Sequence, residues 1–358
     1  MSKIRFSKEQ HKDYYHELKN RVDVYVTKYG LLRRAQIILW IKLALYAALF
    51  VSSYAVLLFF QWENTALLVL NYSIFGLSGI LLAFNAAHDS AHGTFTKSKT
   101  WNDIIFRFTF NINGVNGYLW KKRHVASHHL FPNVDGCDAD IDENIFLRLS
   151  PSHKRLSMHK YQHLYATLLY MFYTLHWIFY KDFNYLVKSE LSNMKNITHP
   201  VKEYIRFFLW KAIYFGVFLV IPILSGYDWQ MMVLAFFIMH VVISLFFVWT
   251  LIISHLTIET AFPVQDESGV LPFNYYHHQL ATSMDYRPRS IVMNWFLGGF
   301  NAHAAHHLFP KWPHTMNRHV TFIIQRTAVE FGLPYNSKTF VGALASHYRY
   351  LRKMGEER

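Results

Sequence analysis

The chain has 358 residues, of which 52% are hydrophobic, 18% aromatic and only 16% charged, with a formal net charge of +13. So apolar and charge-poor a composition excludes an ordinary soluble protein, while the length suffices for a large core. The cationic surplus flanks apolar stretches instead of forming one stripe, which points to membrane topology and away from a nucleic-acid partner.

Residues 1–35 read as a basic amphipathic start, carrying Lys3, Arg5, Lys8, Lys12, Lys19, Arg21, Lys28, Arg33 and Arg34. They lack the apolar core of a cleavable signal peptide. Residues 36–60 are almost wholly apolar and long enough to cross a bilayer, with Lys42 near the start expected to snorkel to the headgroups. A short polar break at 61–64 leads to a second span, so 36–87 is expected to be a transmembrane hairpin that returns the chain to its starting side. Residues 88–204 are polar, apart from the short aromatic run at 164–180, which reads as an interfacial or re-entrant helix. A second hairpin is expected over 205–254, with Lys211 snorkelling from its first span, and 255–358 forms a C-terminal cap.

The expected fold is therefore an all-α integral membrane protein with four transmembrane helices in two hairpins. The two turns contribute only Glu63 and Asp228, whereas nearly all Lys and Arg lie in the other three segments. The positive-inside rule then places both termini and the histidine-rich cap in the cytoplasm.

Three histidine clusters carry the chemistry: His88 and His92 in AAHDSAHG, His124, His128 and His129 in RHVASHH, and His303, His306 and His307 in NAHAAHH. On an α-helix, residues three and four apart share a face, so each cluster presents imidazoles together. His129, five residues after His124, would stand about 140° around an α-helix and so could serve a second ion. His255, where the last span ends, is a ninth candidate. A lone HxxxH is weak, but the three clusters jointly are strong. The single cysteine, Cys137, rules out an intrachain disulfide and leaves no cysteine-based zinc site. Eight or nine imidazoles suit two first-row ions with open positions, and iron suits imidazole ligation with dioxygen chemistry. Bis-histidine haem ligands would face each other within spans, where only His240 lies deep. Asp89, Asn133, Asp135, Asp138, Glu259 and Asn301 are the candidates to hold the ligands' outer N–H groups.

The patterns HDSAH, HVASHH and HAAHH, in this order and separated by a helical hairpin, resemble the membrane fatty-acid desaturases. WKKRHVASHHLFPNVDGCDADID, HKYQHLYATLLY, HHQLATSMDYRPRS and NWFLGGFNAHAAHHLFP resemble the linoleoyl-CoA, or front-end, branch, over roughly residues 80–320. The resemblance implies a non-haem di-iron centre held by His88, His92, His124, His128, His129, His303, His306 and His307, with His255 as an additional ligand. It implies oxygen-dependent removal of two hydrogens from a long acyl chain carried by CoA or a lipid. Two departures stand out. The third box begins with His303 where eukaryotic front-end enzymes commonly have glutamine, which leaves the position of the double bond open. His199-Pro200 is followed by Val201-Lys202, not by the glycines of a fused haem-binding donor domain. A separate donor, a ferredoxin or a b-type cytochrome with its reductase, is therefore expected, most simply in a bacterial plasma membrane. Lys121, Lys122, Arg123, Arg287 and Arg289 are candidates to meet substrate phosphates, although interfacial topology alone accounts for them. A hydroxylase or ketolase on the same scaffold is the alternative. A metal transporter is disfavoured because its sites would lie near the membrane midplane.

Overall fold

The computed structural model describes residues 4–7 and 12–357; Lys3 and Lys8 of the basic start lie outside them. The architecture is mostly helical, with very little sheet. In chain order run α1 (Lys12–Lys28), α2 (Leu31–Phe60), α3 (Thr65–His92), α4 (Lys99–Asn111), α5 (Gln162–Met171), α6 (Val201–Leu224) and α7 (Trp229–Ile252). They are followed by α8 (Tyr275–Ala281), α9 (His303–Leu308), α10 (Asn317–Glu330) and α11 (Phe340–Glu356). Two small parallel pairs complete it: β1 (Arg5–Phe6) with β2 (Val270–Leu271), and β3 (Met284–Tyr286) with β4 (Asn336–Lys338).

Among the described residues, α2, α3, α6 and α7 are long and apolar enough to cross a membrane. The chain divides into two compact units. The first comprises Met1–Ile37, Arg123–Ala166 and Trp249–Arg358; the second comprises Ile38–Lys122 and Thr167–Val248.

In the second unit the polar breaks act as caps. Asn64 Oδ1 accepts from Ala66 N and Leu67 N at 2.9 and 3.2 Å, starting α3. Asp228 Oδ1 accepts from Gln230 N and Met231 N at 2.9 and 3.0 Å, starting α7. Both stand in for the missing carbonyls of a helix's first turn. The Tyr227 hydroxyl donates to Leu57 O at 2.7 Å and accepts from Trp62 N at 2.9 Å, tying the two hairpin turns together.

Neither lysine in the spans snorkels. Lys211 is buried, and its Nζ donates to Gly114 O, Ile178 O and Asp182 Oδ2 at 2.7, 2.7 and 2.8 Å. Asp182 also accepts from Asn116 N at 2.8 Å and Trp177 Nε1 at 3.0 Å. An ammonium in an apolar setting is tolerated when all three donors are met and a carboxylate neutralises it. Lys42 is likewise only 1% exposed, with Asp89 as the carboxylate acting on it, so it faces protein and not headgroups. His240 is buried between Tyr214, whose hydroxyl lies 2.7 Å from Nε2, and Thr174, whose Oγ1 lies 2.8 Å from Nδ1. Thr174 also meets Ser244 Oγ, at 2.6 Å, so the aromatic run after α5 packs against α7 through these polar pairs. That run breaks into short helices and forms no fifth span.

The first unit owes its core to α1. Tyr14, Leu18 and Val22, four residues apart, make its buried stripe, packing with Val320 and Ile324 of α10, Leu280 of α8 and Ala304, Ala305 and Leu308 of α9. The basic amphipathic start is thus a core helix on one face, and its packing seats α9, which carries the third histidine cluster.

Candidate metal centre

Seven of the nine candidate histidines, namely His124, His128, His129, His255, His303, His306 and His307, lie in the first unit, and His88 and His92 in the second. In the first unit three elements deliver them. His124–His128 is a single π-helical turn, closed by His129 N donating to His124 O at 3.0 Å. His255 follows the end of α7, and His303, His306 and His307 lie on α9. The chain reverses into α9 through Gly298 and Gly299, at φ +58° and +75°. A Cβ on Gly299 would come within 2.9 Å of His314 Cβ, so both backbone angle and space require glycine there.

The imidazoles fall into two groups. One ring nitrogen from each of His128, His255, His303 and His307 lies within 4.8 Å of the others, close enough to share an ion. His303 Nε2 is 2.6 Å from His255 Nε2 and 3.1 Å from His307 Nε2. In the other group, His129 Nε2 is 3.0 Å from both His124 Nε2 and His306 Nε2. Ligands at right angles on an ion with bonds of about 2.1 Å stand about 3.0 Å apart, so these separations suit a first-row ion at each group.

The π turn corrects the expectation that His129 stands about 140° from His124. Hydrogen bonding from i to i+5 winds the backbone more loosely, and brings residue 129 nearly above residue 124. Their ring centroids are 4.5 Å apart. A second π turn, Ala83–Ala87, immediately precedes the first cluster in the second unit, where the His88 and His92 rings lie 4.9 Å apart.

Outer partners aim the nitrogens inward. His128 Nδ1 lies 3.0 and 3.1 Å from the two Asp138 oxygens, and Asp138 is itself held by Asn133 N and Asp140 N, each at 2.9 Å. His255 Nδ1 donates to Thr282 O at 2.9 Å. His307 Nδ1 donates to Gln279 Oε1 at 2.8 Å, while Gln279 Nε2 donates to His129 O at 3.4 Å, which fixes the amide's orientation. Each acceptor places the proton on Nδ1 and leaves the Nε2 lone pair facing the group. Burial, reinforced by His128, holds the His255 imidazole down at about 3, and burial keeps His307 well below its ordinary value. Both are neutral donors at physiological pH. His128 is the exception. Burial would lower it, but the Asp138 carboxylate outweighs that and raises it to about 8.

Of the residues expected to hold the ligands, Asp138 does so directly. Asn133 does so indirectly, its Nδ2 donating to His255 O at 3.0 Å. Asp89 accepts from Thr94 Oγ1 at 3.1 Å beside His88. The other three act elsewhere. Asp135 takes Ser152 and His153, Glu259 takes Ser346 and Lys338, and Asn301 donates to Arg287 O. Arg123 is buried against Asp140 at 3.7 Å and unavailable to a phosphate, whereas Arg287 and Arg289 are exposed.

Sequence reasoning assigned no role to Gln279, Thr282 or Asp285. Asp285 accepts from Ala304 N at 2.9 Å, from the His303 N–H and from Tyr335 Oη at 2.5 Å, so it caps α9 from a distant strand. The available signal was the run HHQLATSMDY, polar yet without glycine or proline, which marks a buried polar segment better than a loop.

Comparison with known proteins agrees with this chemistry. A family model described as fatty acid desaturase matches residues 61–339. The chain is similar to an sn-1 linoleoyl-lipid 6-desaturase of Arthrospira platensis, 29% identical over 94% of this chain and 91% of that protein. It is also 28% identical to an acyl-lipid (8-3)-desaturase of Physcomitrium patens, over 98% of this chain and 74% of the other. Human fatty acid desaturase 3 is 26% identical over 78% and 61%.

Proposed function

The chain belongs to the fatty acid desaturase family, and we propose that it is an acyl-lipid desaturase of the front-end type working through two non-haem irons and dioxygen. One observation carries the two-ion reading: the HisHis doublets divide. His128 joins His255, His303 and His307, while its neighbour His129 joins His124; on α9, His307 joins the first group and His306 the second. Neighbours on a helix point about 100° apart, so one ion cannot take both members of a doublet, but two adjacent ions can.

We assign all nine histidines as ligands, with His88 and His92 completing the set. When bound, the irons supply the oxidising power of dioxygen, which with two electrons and two protons takes two hydrogens from adjacent carbons and releases two waters. The chain's own residues do the positioning. Asp138, Gln279 and the Thr282 carbonyl hold His128, His307 and His255 in one tautomer, and Asp285 with Tyr335 fixes the start of α9. Eight of the nine are buried and His92 is partly so, which limits water at the site and keeps the oxidant for the acyl chain.

The lipid-linked carrier and the front-end position are favoured by the relatives, which are named as acyl-lipid and linoleoyl-lipid desaturases. The electrons come from a separate ferredoxin or b-type cytochrome, which an excess of basic residues favours if the donor is acidic. The balance of Lys and Arg favours a cytoplasmic location for the histidine segments and both termini, and a bacterial plasma membrane is the setting proposed.

The test is mass spectrometry of total lipids from a host expressing the chain and fed defined fatty acids. A new double bond at one position, absent with His306→Ala, is the expected result. A hydroxylated product instead would overturn desaturation in favour of hydroxylation.

A further inference from the structure

One corner of the first unit gathers cations at the start of span α2. Helix α1 ends at Lys28, Gly30 turns the chain at φ +56°, and α2 begins at Leu31. Leu31 and Ala35 pack on Met316, with Tyr25, Val26 and Trp312 around them. Thr315 Oγ1 donates to Ala35 O at 3.1 Å, so the start of α10 is held beside the start of α2. Half-buried His319 is lowered first by burial and then by Arg318 and Arg34, which shows those two guanidinium charges reaching one place from two helices. Arg33 and Arg34 are exposed, as is Lys28, whose ammonium stands 5.4 Å from the Tyr29 ring centroid.

The neighbouring carboxylates are already engaged. Asp23 pairs with Lys19, Glu17 with Arg21 at 2.6 Å, and Glu330 with Arg21 at 2.6 Å and Arg326 at 3.0 Å. Among the described residues, no carboxylate pairs with Lys28, Arg33, Arg34 or Arg318. Beside these cations, Tyr29, Leu32 and Phe322 are exposed. An open groove between α1 and α10, lined in part by Val24, Tyr25, Tyr29 and Phe322, adjoins them.

Because α2 runs on from Ala35 as a membrane span, this corner lies at headgroup depth. We infer that Lys28, Arg33, Arg34 and Arg318 dock the phosphate headgroup of an anionic bilayer lipid, whose glycerol and upper acyl region lie over Tyr29, Leu32 and Phe322. Guanidinium groups match phosphate oxygens in geometry as well as charge. The aromatic and aliphatic neighbours suit the half-apolar zone beneath. This site goes beyond the catalytic proposal and does not rest on it.

The experiment is native mass spectrometry of the full-length protein released from nanodiscs of phosphatidylcholine mixed with phosphatidylglycerol of the same acyl composition. Wild type, and a control in which exposed Lys188→Gln and Lys195→Gln are combined, should retain phosphatidylglycerol preferentially. The combined Arg33→Gln, Arg34→Gln, Arg318→Gln variant should lose about 100-fold of that preference, since each of the three cations near a charged surface contributes about fivefold. Equal preference in that variant, or none in wild type, would overturn the assignment. Should the variant fail to insert, raising ionic strength on wild type must erode the preference, and a salt-independent preference would overturn it too. Saturable binding of an acidic soluble protein, with no lipid preference, would reassign the surface to a protein partner. Desaturation of host lipids is read separately, so failure of either proposal leaves the other standing.

Discussion

Asp138 is the carboxylate on which the geometry of His128 turns. Its two oxygens meet four approaches: His128 Nδ1 at 3.0 and 3.1 Å, Asn133 N at 2.9 Å and Asp140 N at 2.9 Å. Asp138→Asn keeps the shape, removes the charge and turns one oxygen into an NH2 group. Both oxygens already face backbone N–H donors, so whichever way the amide sits, a donor meets a donor. His128 then loses the partner that fixes its tautomer. Loss of such a partner costs about 10–100-fold in metal affinity, or about 1.4–2.7 kcal/mol. The assay is titration of metal-depleted protein with Fe(II) against a competing chelator, with iron per chain measured after purification. Asp135→Asn is the control, because that carboxylate holds Ser152 and His153 at 2.7 and 3.0 Å and should leave affinity nearly unchanged. Wild-type affinity in Asp138→Asn, or an equal loss in Asp135→Asn, would refute the reasoning.

In the metal-free protein His128 is raised to about 8, so below that pH a proton occupies the nitrogen lone pair that an ion needs. Apparent affinity of the group containing His128 for Fe(II) should therefore fall about tenfold per pH unit from 8 to 6, and a flat chelator-competition profile would contradict it. Lys211→Met strands the buried Asp182 charge and should destabilise the second unit by about 3–5 kcal/mol. Adding Asp182→Asn should recover part of the loss, and strictly additive losses in thermal unfolding would show that the pair is not coupled. Burial, helped by Asp138 and Asp135, pushes the Cys137 thiol up to about 11. Its thiolate fraction at pH 8 is then about 10⁻³, so alkylation of the folded protein should run about a hundredfold slower than that of a free cysteine, and rapid labelling would show the loop to be open.

The spans were legible because they depend on composition alone. Leu31–Phe60, Thr65–His92, Val201–Leu224 and Trp229–Ile252 lie close to where apolar run length places them. What composition could not give was the fate of the polar residues within them. Lys42 and Lys211 look alike as interruptions of an apolar run, and snorkelling is the default for a lysine with no visible partner. The partner of Lys211, Asp182, lies 29 residues away in a segment that has no pattern of its own. Likewise Gln279 and Asp285 act across 28 and 19 residues on α9, contacts that no local period encodes.

The histidines show the same division between what is local and what is not. Their number and clustering pointed to metal from the sequence alone, yet the way the histidines are shared between the two groups depends on backbone winding. With α-helical winding, His128 and His124 would align at i+4 and His129 would stand apart. The π turn at His124–His128 instead sets His129 over His124 and frees His128 to turn towards His255, His303 and His307. On α9 the winding is ordinary, and the doublet His306-His307 separates by the usual angle, with His307 pairing with His303 and His306 meeting His129. One loosened turn opposite one regular turn thus makes the two groups complementary. A π turn relies on surrounding contacts for its stability, and here Asp138 and the His129 carbonyl's contact with Gln279 provide them. The clustered histidines and the residues that hold them therefore specify one another, and the loosened turn is part of the candidate site.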